Sequence, residues 1–345
     1  MRMKVTLVAP QDISLVVGGL RTQIMETARF LPDYDIEVDF FNPWSVYQKH
    51  STDLFHLFAA NPGSYQLATS LADYDMPFVI SPVMYSNHHP RFIQASRKLE
   101  QWSKKLVSGI WSDYALISRI CHLSQQVLPN TQEEAELIEK GFDIDPDKIQ
   151  TIPNGVEERF TDASPQEFED EYGLTDFVLY VGTIGARRKN VGRLIEAVSD
   201  LEQPVVFVGK VVNSENGREC REAIEQHSHM HLLDPIPHDS SMLASAYAAS
   251  KVLVLPSYYE TPGIAAMEAA LTGSSVVITE RGGPREYFKD FAYYLDPESV
   301  SSIRNAIEKA LNTSTDPGLK KHIRSNYLWP RIAEQTAELY KSIST

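Results

Sequence analysis

The stretch VLVLPSYYETPGIAAMEAALTGSSVVITERGGPREYF, residues 252–288, constrains the fold more than any other part of the chain. Residues 252–255 are an apolar run of strand length closed by Pro256, residues 264–271 carry helical content with no breaker, and residues 276–279 form a second apolar run. Strand, glycine-marked helix start and strand make a βαβ unit, which requires a parallel sheet covered on both faces. Gly263 falls where the strand-end loop becomes helix. There, unpaired backbone N–H groups and the positive end of the helix dipole can hold an anion, most often a phosphate. Glu260 precedes that helix start and Glu268 lies within the helix. At the helical rise, their carboxylates stand roughly 8–12 Å apart. That span suits a ligand with a sugar at each end and a pyrophosphate between. The alternative reading makes Glu260 a loop acid and Glu268 part of a solvated helix face.

The same rhythm runs through the rest of the chain. Residues 4–9 read as a buried strand, followed by a loop with Gly18 and Gly19 and a helix carrying Leu20, Ile24, Ala28 and Leu31 along one face. Further strands fall at 36–41, 54–58, 78–81 and 126–128, separated by helical or turn segments such as 66–72. Asn130 or Thr131 caps a helix with Glu134 in its first turn, and Gly141 ends it. Residues 177–182 open a second nucleotide fold, 205–208 are its next strand, and 327–343 are helical. The class is α/β, and 345 residues suit two domains. A dinucleotide-binding unit would need G-x-G-x-x-G and an acid about 20 residues on. Asp39 could be that acid, but GGLRTQ lacks the third glycine and the loop at 11–17 is too long. Residues 163–173, polar and acidic, read as an interdomain linker.

The pattern Glu260-Thr261-Pro262-Gly263-Ile264, then Glu268-Ala-Ala, Gly273 and Val276-Val-Ile-Thr, resembles the E-x7-E region of family-4 glycosyltransferases of the GT-B fold. The resemblance implies two Rossmann-like parallel-sheet domains facing a central cleft, at residues 1–160 and 174–326, with the helix at 327–345 packing back on the first. It implies a retaining hexosyltransferase that needs no metal or other cofactor. Its donor would be a UDP-, GDP- or ADP-sugar, and its acceptor a glycan, a lipid-linked molecule or a small molecule. Glu260 would contact the donor sugar, Glu268 the nucleotide ribose, and the amides of Thr261, Gly263 and Ile264, around Pro262, the pyrophosphate. Gly18-Gly19 matches the family's glycine pair at the mouth of the donor site. Thr183-Ile-Gly-Ala-Arg-Arg-Lys-Asn190 matches the family's G-T-L-x-P-R-K-N with one residue extra. It would bring Arg188 and Lys189 to the pyrophosphate, or Arg187 in the other register. Fixed cations stabilise a departing diphosphate more in the transition state than in the ground state, whereas the bland alternative is a solvated basic turn. Ile236-Pro237 occupies the place where the family holds the base through backbone groups, and Gly282-Gly283 with Glu286-Tyr287-Phe288 closes the site edge. One element departs from the pattern. Relatives carry Thr-x-His-Asp after the strand that ends near Ser81, whereas this chain reads VISPVMYSNHH, with His88 and His89 several residues late.

Composition removes other classes. A net charge of −14 argues against nucleic acid as a partner. Cys121 and Cys220 are the only cysteines, which indicates neither a disulfide scaffold nor a thiolate metal site. His227, His229 and His231 at period two invite a metal reading, but such alternation also describes an exposed strand, and no metal is expected. The opening MRMKVTLVAP is too short an apolar run for a signal peptide or a span, so a cytoplasmic protein is expected. Residues 91–119 combine six basic and two acidic residues with Phe92, Leu99, Trp102, Leu106 and Ile110 at helical spacing. They describe either a helix packed on its own domain or one lying peripherally on the inner face of a membrane, as cell-envelope polysaccharide synthesis with a lipid-linked acceptor would require. Two rival functions share the features: a sugar-nucleotide epimerase of the same fold class, and a non-catalytic nucleotide-sugar-binding protein.

Overall fold

The structure is a computed structural model that describes residues 2–15, 18–86, 88–103 and 112–343. The chain forms two compact units: one runs to Gly155 and resumes at Trp329, and the other is Val156–Leu328.

The first unit holds strands β1 (Met3–Val8), β2 (Ile36–Phe40), β3 (Leu54–Phe58), β4 (Phe78–Ser81) and β5 (Gln126–Val127). Among the described residues they form a parallel sheet in the order β2-β1-β3-β4-β5. All residues of β3 and β4 are buried, the near-continuous apolar reading expected of strands covered on both faces. Asp39, the acid considered for a dinucleotide site, instead pairs across to Lys4 Nζ at 2.8 Å. The helix Gly19–Phe30 buries Gln23, Ile24 and Thr27. Thr131, rather than Asn130, caps the helix Gln132–Phe142, which runs through Gly141 and stops at Asp143 in a left-handed conformation. The helix Trp329–Ile343 completes this core: Trp329, Ile332, Leu339 and Tyr340 join Val5, Leu7 and Val79 in one apolar cluster. Inside it, His56 of β3 bonds Tyr340 Oη through Nδ1 and Ser81 Oγ through Nε2 at 2.9 Å. Burial pushes its pKa down to about 3, so the ring is neutral.

The second unit holds β6 (Phe177–Val181), β7 (Val205–Val208), β8 (Met230–Leu233), β9 (Ser250–Leu255), β10 (Ser275–Thr279) and β11 (Tyr293–Leu295). Among the described residues the order is β11-β10-β9-β6-β7-β8, again all parallel. The strand order reverses between β6 and β9. In open parallel sheets a crevice forms at such a reversal, beyond the carboxyl ends of the strands.

Two expectations are corrected. Residues 163–173 are not a linker: the helix Gln166–Tyr172 within them belongs to the second unit. Its Phe168 is fully buried, 5.2 Å from the Phe177 ring, and Phe168 N–H donates to Ser245 Oγ at 2.9 Å. One apolar anchor in an acidic segment suffices to dock it. The chain changes unit at Gly155 because Val156 bridges to Leu328 inside the second unit. The expected tail helix is present at Trp329–Ile343, with Leu328 extended between it and the preceding helix Pro317–Tyr327. Finally, the basic stretch at 91–119 is not one helix in the described residues, which show Pro90–Ser103 and Asp113–Leu123. Lys98 is exposed, whereas Lys104, Lys105, Leu106 and Ile110 lie outside the described residues. Among those residues no helix is long and apolar enough to cross a membrane.

Candidate active site

The loops that leave β6 and β9 at the reversal point are stitched together by their backbones. Tyr258 N–H donates to the Arg188 carbonyl at 2.9 Å, and the Arg188 guanidinium donates to the Tyr259 carbonyl at 2.9 Å while lying over the Tyr259 ring. Buried Asn190 donates to the carbonyls of Pro256 at 3.0 Å and Pro297 at 2.7 Å. This stitching sets two cations beside Glu260. Lys189 Nζ and Ser257 Oγ each donate to Glu260 Oε1 at 2.7 Å, and Arg188 Nη1 stands 3.5 Å away. Burial alone would raise the Glu260 carboxyl. The charges of Lys189 and Arg188, with the bonds from Lys189 and Ser257, outweigh it and hold the group below its ordinary range.

The backbone of Glu260 is clamped as well. Its N–H donates to Arg281 O at 3.2 Å and its carbonyl accepts from Gly283 N–H at 3.0 Å. Between these bonds lies Gly282, with φ 90°, where a Cβ would sit 2.3 Å from the Glu260 carbonyl oxygen. Only glycine fits that approach.

Glu268 forms a second centre, buried on the helix Ile264–Thr272. Tyr247 Oη donates to its Oε2 at 2.7 Å, and His238 Nε2 lies 2.7 Å from its Oε1. On the other side of the ring, His238 Nδ1 is 3.6 Å from Glu157 Oε1, and Glu157 pairs with Arg159 Nε at 3.2 Å. Arg159 also donates to the carbonyls of Ser240 at 3.2 Å and of His238. The bond to Glu268 raises the His238 pKa, with help from the charges of Glu268 and Glu157, against the opposing effects of burial and Arg159.

Glu268 is not on a solvated face, and the basic turn is not wholly solvated: Arg187 alone is exposed, while Arg188 and Lys189 face Glu260. Pro262 and Gly263 are buried, Thr261 and Ile264 half-buried, and Gly263 opens the helix with no side-chain cap on its first-turn N–H groups. Thr183 lends its carbonyl to Tyr180 Oη at 3.1 Å. Ile236 packs against the core, whereas the Pro237 carbonyl is engaged by Ser240, which caps the next helix. Gly18 and Gly19 belong to the first unit, at the start of the helix Gly19–Phe30, and Gly18 is extended. His88 and His89 are also in the first unit; the His88 ring packs 4.6 Å from Phe92, and His89 Nδ1 accepts from Arg91 N–H. His229 is engaged with the Val198 carbonyl at 3.0 Å. Among the described residues no group of three or more His, Cys, Asp or Glu is placed to hold a metal. Sequence reasoning missed Ser257, Glu157, Arg159, His238 and Tyr247. His238 directly follows Pro237, but no local pattern ties it to an acid 30 residues away.

Residues 165–327 match the family described as glycosyl transferases group 1. A subunit of the human phosphatidylinositol N-acetylglucosaminyltransferase is 24% identical over 69% of this chain and 50% of its own. D-inositol 3-phosphate glycosyltransferase of Corynebacterium urealyticum is 25% identical over 64% of this chain and 57% of its own. The match thus spans about half of these curated relatives. Among solved structures, sucrose-phosphate synthase from Thermosynechococcus elongatus superposes with a TM-score of 0.77 at 18% identity, covering 99% of both chains. Anabaena HepE in complex with UDP and glucose gives 0.73 at 16% identity, covering 99% of this chain and 100% of that one. At such identities the likeness is one of fold, and the expected GT-B class is borne out.

Proposed function

We infer, from a chain that carries a glycosyl transferases group 1 domain on the GT-B fold, that this protein transfers a sugar from a nucleoside-diphosphate sugar to a hydroxyl acceptor, with retention of configuration and without a metal ion. The observation that carries the reading is the Lys189–Glu260–Arg188 group at the reversal point of the second sheet. As the glycosidic bond breaks, the diphosphate gains negative charge. Two cations already fixed by a buried carboxylate stabilise that charge with little reorganisation. In this reading Glu260 also takes donor-sugar hydroxyls, Glu268 takes the ribose, and the N–H groups that open the helix at Ile264 take the pyrophosphate. The first unit receives the acceptor, and the enzyme works in the cytoplasm.

HepE, solved with UDP and with UDP-glucose, supports UDP-sugars as the first donors to try. The relatives' names carry inositol, once as phosphatidylinositol and once as inositol 3-phosphate, so the acceptor panel should span lipid-borne, glycan and small-molecule hydroxyls. The test is release of nucleoside diphosphate from UDP-, GDP- and ADP-sugars across that panel, with the anomeric configuration of the product read by NMR. Acceptor-dependent release with retention is expected. Epimerised donor in the absence of acceptor would favour an epimerase, and donor binding with no release from any acceptor would favour a binding protein.

A further inference from the structure

We infer that His238 is a charged positioning residue for the nucleotide, bridging Glu268 and Glu157 as an imidazolium and so fixing the carboxylate that takes the ribose. The inference rests on the donor-site reading above. Both ring nitrogens face carboxylate oxygens, Nε2 at 2.7 Å from Glu268 and Nδ1 at 3.6 Å from Glu157. A neutral imidazole has one N–H and one lone pair, so one of those contacts would set a lone pair against a carboxylate; only the imidazolium bonds Glu268 through one N–H and turns the other toward Glu157 as an ion pair.

The other groups packed here agree with a charged ring. Tyr247 holds the second oxygen of Glu268 at 2.7 Å, and Arg159 pairs with Glu157 and donates to the His238 carbonyl. The Phe160 ring is 6.2 Å from the imidazole and carries no charge. Without the ring's charge, two carboxylates would face one guanidinium where a nucleoside diphosphate must approach. A neutral ring could keep its N–H on Glu268 only by turning a lone pair toward Glu157. With the charge, His238 and Tyr247 fix the plane of the carboxylate, while each oxygen keeps a second lone pair for a ribose hydroxyl. The raised pKa of His238 extends the charged form above pH 6.5.

The test uses the full chain. Calorimetry with UDP, GDP and ADP between pH 7 and 9 compares the wild type with His238→Gln, and the ligand's own ionisation, the same in both, cancels from the difference. In parallel, NMR follows the His238 ring in the ligand-free protein. For the nucleotide that binds, wild-type affinity should fall about tenfold as the ring loses its proton, equivalent to about 1.4 kcal/mol. His238→Gln should be about tenfold weaker at pH 7 and show only the pH dependence of the ligand itself. The ring should titrate above 6.5 in the wild type and lower in Glu157→Gln. If His238→Gln fails to fold, Glu157→Gln, which leaves the Glu268 bond in place, carries the same comparison. Equal pH slopes in wild type and variant, or a ring titrating at or below 6.5, would overturn the inference and leave the donor-site reading standing. Failure of all three nucleotides to bind at any pH would overturn both.

Discussion

Lys189 holds a structural role beside the catalytic one proposed for it. It is half-buried, and its ammonium is one of the groups that keep the buried Glu260 ionised. The folded pKa of Glu260 lies below the unfolded value, so the stabilisation is present above the ordinary carboxylate range and is lost as pH falls through the depressed value. Lys189→Ala leaves Glu260 with Arg188 and Ser257 only. We expect a loss of about 1–3 kcal/mol in stability, read as a lower urea midpoint at unchanged slope. Turnover should fall roughly 10- to 1000-fold, because a cation aimed at the leaving diphosphate is gone. Adding Glu260→Gln should return most of the stability and none of the turnover. Arg187→Ala, in contrast, removes an exposed side chain and should change stability by less than about 0.5 kcal/mol. A Lys189→Ala protein as stable as the wild type would show that some other group holds Glu260 ionised.

Two glycines that close the helix Ile264–Thr272 and the loop after β10 make a matched pair at the scale of elements. Gly273, φ 103°, caps the helix end with nothing within 4 Å of where a Cβ would stand, whereas Gly282, φ 90°, abuts the Glu260 carbonyl. Gly273→Ala should therefore cost about 1 kcal/mol of backbone strain and spare turnover. Gly282→Ala should cost more than that and reduce turnover, since it must displace the backbone of Glu260. Equal turnover in the two variants would detach Glu260 from the reaction. The same elements show what a sequence reader can reach. The strand–helix–strand passage around Glu260 and Glu268 is legible because apolar run length, a breaker at Pro256 and the Gly263 and Gly273 positions are local signals. The partners of Glu268 are not, because Tyr247 and His238 reach it from 21 and 30 residues away through the order of strands. The helix at Gln166–Tyr172 is hidden for another reason: six of its seven residues are polar or exposed, and Phe168 alone carries the docking. At Arg188 and Lys189 the motif supplies the residues, but only the stitching of the β6 and β9 loops distinguishes them from Arg187.

Across the whole molecule, the buried titratable groups give the two units opposite responses to acid. In the first unit the His56 ring is neutral and buried, with its pKa lowered from 6.5 to about 3. Its stabilisation is complete above 6.5 and is lost as pH falls below that value, at about 1.4 kcal/mol per pH unit for one proton. In the second unit His238 has the reverse sign: its pKa is raised, so its stabilisation is complete below 6.5 and is lost as pH rises through the raised value. Glu260 adds acid sensitivity to the second unit only once pH enters the carboxylate range, well below this window. Taking the protein from pH 7.5 to 5.5 should therefore weaken the first unit by about 1–2 kcal/mol and leave the second unchanged or firmer. Hydrogen exchange reads the two separately, through the slowest amides of β3 and of β9, after correction for the intrinsic pH dependence of exchange. Protection should fall in β3 and hold or rise in β9. His56→Gln should remove the fall in β3, at the cost of a lower starting stability, since a glutamine can keep only part of the ring's bonding to Tyr340 and Ser81. Amides of β3 and β9 that lose protection in parallel would show that the buried imidazole does not set the acid limit of the first unit.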